Sequence, residues 1–423
     1  MLATTIYLLI AFLAIIGTPL FVIMVLFAMV AFTFADISIS SVSIAIYQVA
    51  AQPMMLSIPL FTFAGYLIAE SKSPQRLMRL GQALLGQLPG GVAIICLSVS
   101  AIFTAFTGAS GVTIIALGGL MYPLLRNEGY SERFALGLIT TCGSLGLLFA
   151  PSLPIILYGL ISRTDINSLF KAGPVPGLFL IIVLSLYAIF TMKKIRKNEE
   201  VKRKKFDKEE AISAIKGAFF EILLPVGVLV GIYGGITTVT EAASFTALYV
   251  FILACFIHKD VPLKNISQVV LSSTSLVGAI LLMVCSALAL TNYLVDEEIP
   301  MKLLALIKTY ISNKYIFLIA LNLFLVLVGC MMDIFSAIVI VVPLIAPMAL
   351  EYGINPVHLA IIFLTNLEIG YLTPPVGINL FISSFRFKQN ITVLYRSVLP
   401  FILLLWGSLI VITYCPQLST WLQ

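Results

Sequence analysis

Residues Tyr122–Gly159 read YPLLRNEGYSERFALGLITTCGSLGLLFAPSLPIILYG, and the pattern returns in residues Ala346–Ser383, APMALEYGINPVHLAIIFLTNLEIGYLTPPVGINLFIS. A constant offset of 224 residues superposes glycines, prolines and a threonine of the two stretches: Pro123 on Pro347, Gly129 on Gly353, Thr141 on Thr365, Gly146 on Gly370 and Pro151 on Pro375. Apolar residues match by chance easily, whereas glycines and prolines at a single offset rarely do. The two stretches therefore predict an internal duplication.

The composition indicates that this duplication lies in a membrane. Of the 423 residues, 60% are hydrophobic and only 10% are charged, and the mean hydropathy is +1.10. A soluble domain carries about 25% charged residues, which it needs to coat its surface. The apolar runs are long and continuous, which favours helices over the alternating strands of a barrel. Since a spanning helix takes about 20 residues, we expect roughly ten to fourteen membrane segments in an all-α polytopic membrane protein.

One polar stretch separates the two halves of the chain. Ten of the 25 basic residues fall between Lys193 and Lys216, beside five acidic residues. The positive-inside rule makes this stretch, residues 193–217, a cytoplasmic loop whose basic side chains face membrane lipids. The net charge of +6 therefore indicates membrane orientation, and we expect no nucleic-acid partner.

Each half also carries two interruptions in its apolar runs. These are TGASG (Thr107–Gly111) and GSLGLLFAPSLP (Gly143–Pro154), then GCMMD (Gly329–Asp333) and GYLTPP (Gly370–Pro375). A helix broken at membrane depth leaves N–H and C=O groups that hydrocarbon cannot satisfy, so breaks persist only where they line a site or are buried in protein. Paired interruptions are typical of secondary transporters, in which freed carbonyls bind Na⁺ and half-helix N-termini face an anion. We therefore predict two re-entrant helical hairpins and broken transmembrane helices.

Taken together, these stretches resemble the large membrane subunit of the TRAP (tripartite ATP-independent periplasmic) transporters. The resemblance covers nearly the whole chain and includes IPLFTFAGYL (Ile58–Leu67), GIYGGITTVTEAA (Gly231–Ala243) and IGYLTPPVGINLF (Ile369–Phe381). The chain departs from the family pattern at Ala150 and Val239, where the family has proline. These departures leave the local backbone open but remove no predicted ligand side chain.

The resemblance implies an inverted-repeat, elevator-type transporter in the inner (cytoplasmic) membrane of a bacterium or archaeon. It implies coupling to two or more Na⁺ ions, a separate small four-helix membrane subunit and a periplasmic substrate-binding protein. The implied substrate is a small organic anion, such as a C4-dicarboxylate, sialic acid or a sulfonate. The implied divisions are N-terminal scaffold helices (1–90), a first transport repeat of hairpin 1 plus a broken helix (91–192), the basic loop (193–217), second-half scaffold helices (218–312), a second transport repeat of hairpin 2 plus a broken helix (313–388) and a C-terminal helix (389–423).

Sodium is a hard cation that prefers oxygen ligands, so its candidate ligands are hydroxyls, a carboxylate and freed carbonyls at the interruptions. The first set combines Thr107, Gly108, Ser110 and Thr113 with Thr141, Gly143, Ser144 and Gly146. The second set combines Gly329, Asp333 and Ser336 with Thr365, Asn366, Gly370, Thr373 and Pro374. We expect the substrate anion between the two hairpin tips, bound by Ser110, Ser144 and backbone amides. Arg163 either pairs with its acidic group or extends to the membrane interface.

Several ionisable residues have two interpretations. Asp333 either contacts Na⁺ or caps a helix, with equal weight, because a carboxylate in an apolar run needs a partner. Glu241 is predicted to cap a helix start, and Glu368 to be structural. His258 and His358 have no partner nearby in the sequence and are poor metal ligands.

Other classes of protein are less compatible with this pattern. A channel needs continuous polar rings along a pore, whereas the polar residues here cluster at broken helices. An enzyme acting within the membrane needs paired ionisable groups at depth, which this sequence almost lacks, so we expect no catalytic residues. The alternative that stays open is a stand-alone ion-coupled carrier of organic anions that works without a binding protein.

Overall fold

The computed structural model describes residues 2–35, 38, 40–198, 207–311 and 313–422. These residues form α-helices with short 3-10 and π segments, and no strand occurs among them. The helices of the first half are α1 (Leu2–Ile16), α2 (Leu20–Phe34), α3 (Ser40–Ala50), α4 (Ser57–Glu70), α5 (Ser73–Leu85), α6 (Gly91–Thr107), α7 (Ser110–Asn127), α8 (Glu132–Cys142), α9 (Leu153–Ser162), α10 (Ile166–Ala172) and α11 (Pro174–Asn198). Those of the second half are α12 (Lys208–Gly217), α13 (Phe219–Tyr233), α14 (Val239–Ile252), α15 (Ile266–Asp296), α16 (Ile299–Tyr310), α17 (Lys314–Met331), α18 (Ile334–Glu351), α19 (Pro356–Gly370), α20 (Ile378–Phe387), α21 (Ile391–Tyr414) and α22 (Gln417–Thr420).

The helices are long and apolar enough for a multi-pass membrane protein, as the composition predicted. Within the described residues, seven helices could cross a membrane, or nine if each of two bent helix pairs counts as one span. Three shorter apolar helices, α2, α6 and α19, come in addition. The count of seven to nine does not include these three helices, and the expected ten to fourteen segments rested on chain length alone. The basic stretch is also partly helical, since α11 extends to Asn198 and α12 begins at Lys208.

The internal duplication is confirmed in the positions of helix ends. Helix α7 spans Ser110–Asn127 and α18 spans Ile334–Glu351, so both of their ends differ by the 224 residues found in the sequence. The turns that follow contain Gly129 and Gly353, which have positive φ angles of 96° and 67°. Such angles favour glycine because it has no Cβ. Hairpin 1, formed by α6 and α7, and hairpin 2, formed by α17 and α18, are therefore equivalent in the backbone.

Each repeat packs one arm of its hairpin against a helix of the other repeat. The second arm of hairpin 1, α7, packs on α20, and the equivalent arm of hairpin 2, α18, packs on α9. The Thr140 hydroxyl of α8 lies 2.8 Å from the Ser383 hydroxyl of α20, and the Asn379 side-chain amide donates to the Thr140 carbonyl at 3.4 Å. Each broken helix thus has one half against the other repeat, which fixes the repeats against one another.

Glycines allow each broken helix to approach its own hairpin. A Cβ added to Gly370 would lie 2.6 Å from the Cα of Gly329 in hairpin 2. At the equivalent position in the first repeat, a Cβ on Gly146 would lie 2.3 Å from the Ala101 carbonyl of hairpin 1. Since side chains cannot occupy such contacts, both crossings depend on glycine.

A buried ionic cluster joins α5 to the second half of the chain. The Arg76 guanidinium donates to the carboxylates of Glu221 in α13 and Asp260 in the loop before α15. The side chains of Glu221 and Asp260 are only 3% and 5% exposed. The ring Nε2 of His258 lies 3.6 Å from Glu221 Oε1. Arg76 thus holds together segments that lie far apart in the sequence.

Two expectations for single residues have different outcomes. The prediction that Glu241 caps a helix is confirmed, because Glu241 and Thr238 form a capping box at the start of α14. The histidines, which have no partner nearby in the sequence, contact residues that are distant in it. Besides the contact of His258 with Glu221, the ring of His358 contacts the Ser419 hydroxyl at 2.9 Å and the Thr413 carbonyl at 3.1 Å. These partners are distant in sequence, so local inspection could not find them.

The close backbone contact between Gly370 and Gly329 predicts that Gly370→Ala lowers the free energy of unfolding. The new methyl group would clash with the Gly329 backbone, and overpacking of this kind costs about 1–3 kcal/mol. Thermal unfolding of the purified protein in Na⁺-free buffer measures the effect. The matched control is Gly407→Ala in α21, where a Cβ would meet nothing within 4 Å. Equal unfolding temperatures for the two variants would contradict the crossing.

The ionic cluster predicts that Arg76→Gln destabilises the protein by about 3–5 kcal/mol, because it leaves two buried carboxylates without their cation. Arg79→Gln is the control, since Arg79 pairs with Glu210 at 2.8 Å on the surface, and exposed pairs contribute about 0–1 kcal/mol. Chemical denaturation of both variants measures the difference. Similar losses for the two arginines would show that the cluster is no stronger than a surface pair.

The same cluster predicts how stability depends on pH. Burial raises the pKa of the Asp260 carboxyl, but hydrogen bonds from Arg76 and the Lys72 N–H outweigh burial and hold the pKa below its ordinary value. A lowered folded-state pKa contributes stability above the unfolded pKa and loses it as the pH falls through the folded pKa. The stability gap between wild type and Arg76→Gln should therefore be constant near neutral pH and narrow below about pH 4. A gap that widens on acidification would contradict this assignment.

Candidate functional site

The first predicted sodium set lies where hairpin 1 packs on the break between α8 and α9. The Ser110 carbonyl at the start of α7 would lie 3.2 Å from a Cβ on Gly143, so these two backbones are in close contact. The Thr104 hydroxyl of α6 donates to the Gly143 carbonyl at 2.9 Å and lies 2.7 Å from the Thr113 hydroxyl. Gly146 packs against the same part of α6. The structure therefore brings four of the predicted residues together around Thr104.

The other four residues of this set lie at the hairpin tip and at the end of α8. Gly108 forms the tip with a positive φ of 65°, and the Thr107 hydroxyl donates to a tip carbonyl at 3.5 Å. The Ser144 hydroxyl donates to the Thr141 carbonyl at 3.4 Å. The Thr141 hydroxyl is fully buried, yet it has no hydrogen-bond partner among the described residues. The chain thus places an oxygen without a hydrogen-bond partner among the described residues beside the break.

The second set is arranged around the tip of hairpin 2. Gly329 of α17 and Gly370 of α19 form the close backbone crossing described above. Asp333 caps α18, because its carboxylate accepts the N–H groups of Phe335 at 3.0 Å and Ser336 at 3.1 Å. The Ser336 hydroxyl also donates to this carboxylate. The capping interpretation of Asp333 is therefore confirmed, while direct contact of Asp333 with Na⁺ stays a prediction.

The remaining residues of the second set lie on α19 and the break after it. The hydroxyls of Thr365 and Thr373 each donate to the carbonyl one turn back, at 2.7 and 2.8 Å. The side-chain N–H₂ of Asn366 donates to Asn322 Oδ1 at 2.7 Å. Pro374 is exposed, so its ring does not belong to the buried cluster. The two threonine hydroxyls are thus already engaged in hydrogen bonds, whereas the Asn366 side-chain carbonyl has no partner among the described residues.

Buried side-chain oxygens without a hydrogen-bond partner occur in several helices. Within the described residues, those in α8, α19 and α20 are the Thr141 hydroxyl, the Asn366 and Asn379 side-chain carbonyls and both carboxylate oxygens of Glu368. The others are the hydroxyls of Ser152, Tyr158, Ser185 and Thr237 and Oε2 of Glu221. A buried polar group without a hydrogen bond is costly, so natural proteins pair nearly all of them with protein, water or an ion. Glu368, which the sequence suggested to be structural, lies in the same helix as Asn366. These oxygens fit the chemistry of a hard cation.

Arg163 lies apart from the two serines with which it was grouped. It ends α9 with a positive φ of 56° and is exposed, whereas Ser110 and Ser144 are buried. Arg163 lines a cavity of about 530 Å³ that neither serine lines. The structure therefore does not bring the three proposed substrate ligands into one site.

Sequence reasoning missed several groups that organise the two breaks. In the first repeat it missed Thr104, although that hydroxyl lies one helical turn before Thr107. In the second it missed the hydroxyl of Tyr371, which accepts the Ile334 N–H at the start of α18. It also missed the Cys330 carbonyl, which accepts the Gly377 N–H at 3.1 Å. The last two contacts fasten hairpin 2 to the break, and only the three-dimensional packing reveals them.

The arrangement can bind ions but offers no obvious covalent chemistry. The interruptions supply carbonyls, hydroxyls and the positive N-terminal ends of α7 and α9, which attract anions, whereas the N-terminal end of α18 is already capped by the Asp333 carboxylate. Within the described residues, no three His, Cys, Asp or Glu side chains converge as a transition-metal site would require. Cations held by oxygen and a small anion held by helix ends are the ligands that suit these groups.

Known proteins with similar sequences are transport permeases. The family model described as tripartite ATP-independent periplasmic transporter, DctM component, matches residues 5–418. An isethionate TRAP transporter permease protein of Oleidesulfovibrio alaskensis is 33% identical over 86% of this chain. The chain covers 57% of that relative, so it spans less than two thirds of its length. A C4-dicarboxylate TRAP transporter large permease protein of Vibrio cholerae is 33% identical over 92% of this chain and 90% of its own.

A solved structure supports the fold independently. The crystal structure of the Alcanivorax borkumensis YdaH transporter, reported to have an unusual topology, aligns with a TM-score of 0.61 over 86% of this chain and 84% of its own. At 13% identity this likeness concerns the fold alone. The family match, by contrast, extends over nearly the whole sequence and agrees with the paired hairpins and breaks. The chain therefore belongs to the DctM component of the tripartite ATP-independent periplasmic transporters, a family of transport permeases rather than enzymes.

Proposed function

We propose that this chain takes up a small organic anion by coupling its entry to an inward Na⁺ gradient. The substrate is a carboxylate, such as a C4-dicarboxylate or sialic acid, or a sulfonate. A periplasmic substrate-binding protein delivers it, and a small four-helix membrane subunit completes the transporter. Family membership supports this tripartite arrangement, and the relatives described above are named for isethionate and for C4-dicarboxylates. The chain resides in the inner (cytoplasmic) membrane.

The observation that carries the sodium proposal is the set of buried oxygens without partners. The Thr141 hydroxyl in the first repeat and the side-chain carbonyl of Asn366, which follows the equivalent residue Thr365 in the second, are both fully buried and without a partner among the described residues. Two such positions match a carrier with two or more coupling ions. Na⁺ would take these oxygens together with the carbonyls freed at each break, including that of Gly143. Neither Thr141 nor Asn366 is titratable, so these two oxygens suit a metal cation, while Glu368, two residues after Asn366, is the titratable group of the same set.

The packing suggests which parts move together in an elevator mechanism. Hairpin 1 packs on α20 and hairpin 2 packs on α9, so both hairpins and both broken helices form one interlocked group. Helix α15 instead packs extensively on α2, α3 and α4, which belong to the proposed scaffold. An interlocked group that carries both ion sites can slide as a rigid unit against such a scaffold. The alternative function is a stand-alone carrier that needs no binding protein.

Uptake into proteoliposomes tests this function. The chain is reconstituted with its small subunit, and radiolabelled isethionate, succinate and sialic acid are offered with the cognate binding protein. We expect uptake only with an inward Na⁺ gradient, since the buried oxygens need a hard monovalent cation that fits them. Replacing Na⁺ with choline is the control for the ion, and omitting the binding protein is the control for delivery. Uptake without the binding protein would favour the stand-alone carrier, and uptake without Na⁺ would contradict sodium coupling.

The Thr141 hydroxyl at the first break has no hydrogen-bond partner among the described residues, so removing it should lower the affinity for Na⁺. Thr141→Val removes this hydroxyl and keeps the shape, so half-saturation of uptake should need about three- to tenfold more Na⁺, equivalent to roughly 0.7–1.4 kcal/mol. Uptake rate against Na⁺ concentration measures it. The matched control is Thr246→Val in α14, because that buried hydroxyl already donates to the Ala242 carbonyl at 2.7 Å. An unchanged sodium dependence in Thr141→Val would remove Thr141 from the site.

A further inference from the structure

A cavity of about 530 Å³ lies between the proposed scaffold and the interlocked hairpin group. Helices α2, α3 and α15 form one wall, while the end of α9 and the proline-containing part of α18 form the other. Its volume falls in the range of about 300–1,000 Å³ that is usual for small-molecule sites. The cavity therefore lies on the boundary across which the proposed elevator slides.

Opposite charges line this cavity, and one of them is free. Arg163 projects from the end of α9, and its guanidinium has no hydrogen-bond or ion-pair partner among the described residues. Asp296, at the end of α15, lines the opposite wall. Oε2 of the next acidic residue, Glu297, lies 3.7 Å from Nζ of Lys302, and neither Glu297 nor Lys302 lines the cavity. One cation and one anion thus face the same space.

Neutral polar side chains complete the lining. They are Gln48 of α3, Ser162 of α9, and Thr291 and Asn292 of α15. These groups can donate or accept hydrogen bonds, whereas the rest of the lining is apolar or proline. An apolar cavity with a few polar groups and one charge of each sign is typical of sites that orient a small ligand.

The chain path places the cavity on the side opposite the basic loop. Helix α11 runs into the basic loop at its C-terminal end, so its N-terminal end lies on the opposite side of the membrane. The end of α9 with Arg163, which precedes α11 in the chain, lies on that opposite side. From the same loop, α13 and α14 make two crossings and α15 a third, so Asp296 also reaches the far side. With the basic loop in the cytoplasm, both residues face the compartment from which substrate arrives.

We propose that this cavity is an access site for a substrate that carries one acidic group together with hydroxyl or amine donors, in which Arg163 binds the acidic group and Asp296 accepts from a donor. The proposal rests on the function proposed above and narrows its substrate class. A guanidinium binds a carboxylate or sulfonate through two parallel hydrogen bonds. The anion would occupy this site before reaching the buried hairpin tips.

The charges discriminate between substrates. A monoanion with a hydroxyl group, such as isethionate, satisfies both walls of the cavity. A dianion such as succinate pairs one carboxylate with Arg163 but brings the other towards Asp296, where like charges repel. The access site should therefore prefer isethionate-like compounds to C4-dicarboxylates.

Ligand-detected NMR titrations of the purified full-length chain with isethionate and with succinate test the proposal. Choline replaces Na⁺ throughout, so that the sodium-dependent hairpin site does not contribute. We expect wild type to bind isethionate more tightly than succinate. Arg163→Gln should weaken isethionate binding about tenfold or more, since a charge-assisted hydrogen-bonded pair is lost. Asp296→Asn should reduce the difference between the affinities for isethionate and succinate.

Lys171→Gln is the matched control, because it removes a positive charge from neighbouring α10 but does not line the cavity. Thermal unfolding of every variant checks that it is folded, and Arg163→Lys should restore part of the affinity. Unchanged isethionate binding in folded Arg163→Gln, an equal loss in Lys171→Gln, or binding of neither compound by wild type would overturn the access site. Sodium-dependent uptake that survives in Arg163→Gln would show that only this inference fails, whereas its absence from wild type would contradict the proposed function itself.

Discussion

The structure depends on one constraint, which is that backbone groups freed from a helix at membrane depth must find partners inside the protein. Both repeats meet it in the same way, by pressing each break against its own hairpin. Gly146 and Gly370 make that approach possible, since a Cβ at either position would overlap the facing backbone. In the second repeat, the Gly377 N–H also donates a hydrogen bond to the Cys330 carbonyl of hairpin 2, so that both freed backbone groups have a partner. Among the buried oxygens that this packing leaves without a partner in the described residues are those of Thr141 and Asn366, at which we propose that Na⁺ binds.

The broad architecture could be predicted because its causes are local. Low charge content forces a lipid environment, and glycines and prolines at one offset mark where helices end. The 224-residue offset reappears in the ends of α7 and α18. The capping role of Glu241 was equally accessible, since a capping box spans only four residues. The number of spans could be bounded only from chain length, because an apolar run does not show whether it forms one long helix or two short ones.

The detailed site could not be predicted, because it depends on contacts between distant segments. Thr104 and Asn322 lie in apolar stretches with no motif, yet they contact predicted ligands. Arg163 was grouped with Ser110 and Ser144, which lie within the interruptions, because it follows the first-half break closely in the sequence, but α9 carries it to a separate cavity. The ionic cluster around Arg76 combines residues from α5, α13 and a later loop. Composition and spacing contain no information about such pairings.

The central claim is that the breaks of the two repeats bind sodium. Binding of radioactive ²²Na⁺ to the purified chain, measured at equilibrium in choline buffer, tests it most directly. We expect saturable binding of two or more ions, weakened in Thr141→Val and not displaced by K⁺. Binding that is absent, or that K⁺ displaces as readily as Na⁺, would contradict the assignment of the buried oxygens to sodium.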